Sequence, residues 1–75
     1  MKVNDIIKSR DFSGRDDCFI IGKVLDYNTV TGEIECKGIM QVWENVVQDE
    51  YPDEFTTVMN GFLPFDSYGD RITVL

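Results

Sequence analysis

Residues 18 to 43 read CFIIGKVLDY, then NTVTG, then EIECKGIMQVW. The first of these, Cys18 to Tyr27, is rich in β-branched and aromatic side chains, the composition of a strand. Asn28 to Gly32 is turn chemistry. From Glu33 the chain alternates. Ile34, Cys36, Gly38, Met40 and Val42 fall on one face, and Glu33, Glu35, Lys37, Ile39, Gln41 and Trp43 on the other. A period of two with one wet face marks the return strand of an antiparallel hairpin. Ile39 and Trp43 interrupt the wet face. Gly22 and Gly38 stand mid-strand, where glycine marks a bend or bulge. A hairpin register that sets Cys18 near residue 41 and Cys36 near residue 23 keeps the two thiols too far apart to bridge.

Upstream, Val3 to Arg10 reads as a strand because Ile6-Ile7 is β-branched, or as one helical turn capped by Asn4 or Asp5. Residues 11–17 are a polar loop. Downstream, residues 44–54 are acidic and end in Tyr51-Pro52-Asp53-Glu54, a loop. Phe55 to Met59 is a further strand, halted by Asn60-Gly61. Pro64 bars Phe62 to Phe65 from a central strand. Asp70 to Leu75 is the last strand. Five short antiparallel strands with glycines at bends predict an all-β fold, a small, strongly bent barrel in which closure hides the strand edges.

The chain has 75 residues, enough for one domain with a modest core. Its 43% hydrophobic content is too high for disorder. It has no histidine, which excludes a Ser-His or Cys-His dyad and a histidine-bearing zinc site. Two cysteines without Cys-x-x-Cys spacing make no redox motif, and read as small core residues. No nucleophile-and-base set is present, so no enzyme, cofactor or metal is expected. Asp16-Asp17 reads as a solvated loop, and Glu33 with Glu35 as a wet strand face. No signal-type segment opens the chain, and no apolar run reaches the roughly 18 residues of a membrane helix. A soluble, cytoplasmic protein without a membrane partner is expected.

Fourteen acids against seven bases give a net charge of −7. The charge is uneven. Residues 1–23 hold five bases and four acids, a net of +1, and residues 24–75 hold two bases and ten acids, a net of −8. Sequence-independent nucleic-acid binders are basic overall. Here Lys8, Arg10, Arg15 and Lys23 offer at most a small basic patch.

Two segments resemble the Sm-like barrel family. In Gly22-Lys-Val-Leu-Asp-Tyr-Asn-Thr-Val-Thr-Gly32, the residues Gly22, Val24 and Tyr27 match the first Sm motif in kind. Asn28 stands at its Asp, Thr31 at its Met and Gly32 at its Asn. In Tyr68-Gly-Asp-Arg-Ile-Thr-Val-Leu75, the residues Gly69, Ile72 and Leu75 match the second motif, and Tyr68 replaces its basic residue. Val3 to Lys8 with Phe19 to Val24 is similar to SH3-like barrels of the KOW type. The texture also resembles small barrel proteins of marine bacteriophages, which would place the chain in a host cytoplasm.

The resemblance implies one barrel domain over residues 1–75, a homo-oligomeric ring and single-stranded RNA in its lumen. The luminal positions are Asn28, Val30 and Gly32 from the first motif and Tyr68 and Gly69 from the second, with Tyr68 the residue that retains a base-stacking face. In such rings the fourth strand of one subunit pairs with the fifth of the next. Phe55, Thr57, Met59, Arg71, Thr73 and Leu75 are then the joining residues, with Ile39 and Trp43 as further interface candidates. The alternative is a protein-interaction or structural module that uses its barrel surface and binds no nucleic acid.

Overall fold

A computed structural model describes residues 1–10, 15–63 and 71–75. The described chain is all-β: β1 (Ile6–Arg10), β2 (Phe19–Tyr27), β3 (Glu33–Trp43), β4 (Val46–Val47), β5 (Glu54–Val58) and β6 (Ile72–Val74). Every pairing is antiparallel. The order is β4-β3-β2-β1-β6, and β5 pairs with β3 on the edge that β4 also uses. Among the described residues no helix is long and apolar enough to cross a membrane.

The opening residues settle as strand, not helix. Lys2 to Asp5 close a turn in which the Asp5 amide donates to the Lys2 carbonyl at 3.1 Å. Asn4 takes φ 75° there. The ladder then begins at Ile6.

The long hairpin spans the expected residues, but its register does not run straight. Phe19 faces Val42 and Cys36 faces Val24, with register shifts between Ile21 and Gly22 and between Val24 and Asp26. Cys18 and Cys36 therefore sit one to two positions from where an uninterrupted register puts them, and both are free thiols. The first shift leaves Ile39 unopposed. A bulge residue inverts the inside-outside phase of everything beyond it. Before the bulge, Ile34, Cys36 and Gly38 point inward as expected. After it, Gln41 faces Ile20, which faces Ser9 on β1. Ser9 lies two residues from the core residue Ile7, so Gln41 lies on the inner face. The expectation that Met40 and Val42 share a face with Ile34 is thus corrected. They pair with Ile21 and Phe19 on the opposite face, where Val42 and Ile21 are nonetheless buried, 7% and 9% exposed, and the Lys8 ammonium stands 4.3 Å above the Phe19 ring.

The core joins Ile7, Val24, Ile34, Cys36 and Ile72, with Met1, Tyr27, Phe55 and Met59 packed against it. Gly22 and Gly38 face each other across the hairpin, and the Phe55 ring lies against the first of them.

Residues 44–54 hold a strand that the acidic composition concealed. Glu44 and Asn45 have φ 52° and 65°, the pattern of a type I′ two-residue hairpin turn. It returns the chain as β4, with Val46 opposite Trp43.

The sheet curls strongly. In a flat sheet β1 and β5, three strand spacings apart, would be separated by about 14 Å. Instead the Ser9 and Thr57 hydroxyls hydrogen-bond at 2.9 Å. Among the described residues the expected five-stranded barrel is a six-stranded sheet whose ladder does not close. Side chains tie its ends. The Asn60 carboxamide accepts from the Ile72 amide at 2.8 Å and donates to the Ile72 carbonyl at 2.9 Å. The Arg71 guanidinium donates to the Val58 carbonyl.

Candidate functional site: a cleft at the open seam

Where β5 and β1 approach without a ladder, the inner face opens into a cleft of about 200 Å³. Ser9 and Arg10 from β1 form one wall and Phe55, Thr56 and Thr57 from β5 the other. Cys18, Phe19, Ile20, Gln41 and Trp43 line it from the hairpin. The Ile39 bulge is what aims Gln41 and Trp43 here. Without that inversion both would point outward with Glu33 and Glu35.

The floor is chemically quiet. Ser9 and Thr57 satisfy each other. Cys18 is buried, and its sulfur accepts from the Glu44 amide at 3.5 Å. Trp43 stands at the rim, 47% exposed, with the Arg15 guanidinium 5.7 Å over its ring. Arg15 is held by a bidentate pair to Asp17 at 3.0 and 2.9 Å. These hydrogen bonds hold the Asp17 carboxyl below the ordinary carboxylate range and raise the Arg15 guanidinium. Arg10 pairs with Asp16, which is almost wholly in solvent. The Asn45 amide donates to the Asp17 carbonyl at 3.0 Å, so residues 15–18 dock on the β3–β4 turn. Among the described residues no group of three or more Cys, Asp or Glu side chains gathers as a metal site.

The residues named from the sequence are dispersed. Asn28 caps its own loop, its side-chain oxygen accepting from the Val30 and Thr31 amides at 2.9 and 3.1 Å. Val30 is 84% exposed at the loop tip. Gly32 has φ 77° and lies under the Phe62 ring. Its amide donates to the Asn28 carbonyl and its carbonyl accepts from the Met59 amide, both at 2.8 Å. Tyr68 and Gly69 lie outside the described residues.

Of the interface candidates, Thr57 and Arg71 are buried, 8% and 5% exposed, and both bond within the chain. Phe55 and Met59 pack on the core. Ile39, Trp43, Thr73 and Leu75 are exposed. The bulge puts Trp43 in the cleft, apart from Ile39. Ser9, Cys18, Ile20 and Gln41 are among the site residues the sequence reading missed. Their one sequence signal was the pair of mid-strand glycines beside an apolar residue on a wet face.

Compared with family models, with curated proteins and with solved structures, the chain matches none of them.

Proposed function

We propose that this chain is a non-enzymatic interaction module of the small β-barrel type, Sm-like or SH3-like in framework, that binds a segment of a partner protein in the seam cleft. The observation that carries this reading is the cleft itself. Its lining includes the apolar and aromatic groups Ile20, Phe55 and Trp43, and the Ser9 and Thr57 hydroxyls are paired with each other. An open, largely apolar groove whose buried hydroxyls pair with each other suits a ligand side chain better than a reaction. The charge of −7 and the occupied backbone groups of Gly32 weigh against RNA.

The test is selection of peptides from a randomised library displayed on phage. Selected peptides should bind the wild type, perturb Trp43 emission, and lose binding to both Trp43→Asp and Ile20→Lys. Peptides that bind these folded variants as well as the wild type would refute the cleft.

A second reading is a homo-oligomeric ring joined between β5 and β6 and enclosing single-stranded RNA. Ladder groups on both strands that are open among the described residues favour it. In β6 the pairs at Ile6–Leu75 and Arg10–Arg71 carry the bonds to β1, so the amide and carbonyl of Val74 face away from β1. A monomeric native mass, with no oligoU binding at low salt, would remove it.

A further inference from the structure

Resting on the reading of the seam cleft as a protein-binding groove, we propose that its occupant is an extended, basic-apolar alternating segment of a partner protein, added as a strand along β5. The hydrogen-bond ladder fixes the geometry. The Met59 amide donates to the Gly32 carbonyl and the Gly38 amide to the Asp53 carbonyl. In an antiparallel pair such bonds recur at every second residue. Thr57 and Phe55 therefore turn their backbone groups toward β3, and Glu54, Thr56 and Val58 turn theirs to the free edge. The Val58 carbonyl is occupied by Arg71. The amides and carbonyls of Glu54 and Thr56 have no hydrogen-bond partner outward among the described residues. They lie on the wall of the cleft that Phe55 and Thr57 line with their side chains.

A strand laid on this edge stops at Thr56, because Ser9 of β1 already meets Thr57, and it puts the residue opposite Phe55 on the inner face, into the cleft against Ile20 and Trp43. Its neighbours fall opposite Glu54 and Thr56 on the outer face. Glu54 faces Lys37 and Thr56 faces Glu35 of β3, so the outer row next to the new strand carries Glu54, backed by Lys37, and Thr56, backed by Glu35. Lysine or arginine opposite Glu54 meets a carboxylate directly across the strand, and one opposite Thr56 has Glu35 as its nearest carboxylate, one strand further in. The chain's overall charge of −7 steers a basic segment toward it and repels a second copy. A second copy is also a poor match in the ladder. Asn60 already occupies the outward amide and carbonyl of Ile72, which leaves β6 with the groups of Val74 alone against the two open residues of β5.

The probe is the acetylated, amidated heptapeptide Val-Lys-Phe-Lys-Val-Lys-Val, with three comparators: its Glu-for-Lys twin, an isomer with the lysines grouped, and oligoU. The heptapeptide should shift Trp43 emission and slow exchange of the Glu54 and Thr56 amides by about tenfold or more. N-methylation of one alternate set of its amides should abolish binding, and methylation of the other set should be tolerated. Thr56→Pro removes an outward amide without touching the β3 ladder. It should weaken binding by about tenfold while the circular dichroism stays that of the wild type.

Equal tolerance of both methylated sets, or equal binding of the Glu twin, overturns strand addition. If any probe shifts Trp43 without protecting Glu54 and Thr56, the cleft stands and the strand falls. If no probe shifts Trp43, both fall. Saturable oligoU binding overturns the proposal in favour of RNA. Protection of Glu54 and Thr56 in the unliganded protein, with a doubled mass, overturns it in favour of a second copy.

Discussion

Gly38 is where the backbone leaves least room. A Cβ built there would stand 1.9 Å from the Pro52 carbonyl oxygen, and its amide donates to the Asp53 carbonyl at 2.7 Å. At its cross-strand partner Gly22 the nearest atoms belong to the Phe55 ring, at 2.6 Å. A ring swings aside more cheaply than a strand's backbone retreats. Gly38→Ala should cost about 3 kcal/mol and Gly22→Ala about 1 kcal/mol. Urea midpoints measure the difference, and equal losses would contradict the account. Both glycines were legible in the sequence as bends. What fills the space above them was not, because Pro52 lies fourteen positions along the chain from Gly38 and no local pattern connects the two.

Among the elements, β3 was legible to its end residues because its polar and apolar side chains alternate so clearly. The phase reversal within it was not legible. Nothing at Ile39 distinguishes a bulge from an ordinary exposed isoleucine until β2 is laid beside it. β4 was missed because five acids dominate residues 44–54, and Asn45 alone suited a turn with positive φ.

The edge of β6 shows the same dependence on partners. In the sequence Asn60 is half of an Asn-Gly turn signal, and in the fold its carboxamide imitates one residue of a neighbouring strand. Asn60→Ala strips Ile72 of two hydrogen bonds. It should cost about 1–3 kcal/mol and release the Ile72 amide to exchange. Unchanged Ile72 protection in the variant would show that the carboxamide contributes nothing to the edge.

At the level of the whole molecule, the curl that brings Ser9 to Thr57 also seals Cys36. Burial pushes its thiol from the ordinary 9.0 up to about 11. A raised pKa means the folded state holds the proton more tightly than the unfolded one. Its contribution is complete below the unfolded value and is lost as pH rises through the folded one. Between pH 9.0 and about 11 the melting temperature should fall more steeply for the wild type than for Cys36→Ala. Parallel slopes would show the thiol to be uncoupled from folding. The all-β, antiparallel class was legible from strand propensity and dense turns. The seam was not, because closure depends on which side chains reach across two distant edges.

The unpaired position at Ile39 also governs what kind of genetic change the molecule tolerates. Every residue from Met40 to Trp43 owes its side of the sheet to one extra unit of length, so parity, more than side-chain identity, is what must be inherited there. Exchanging one amino acid for another alters a single contact. Losing or gaining one between Gly38 and Met40 would turn Gln41 and Trp43 away from the groove and bring Met40 and Val42 round to it, dismantling the groove while leaving the composition almost untouched.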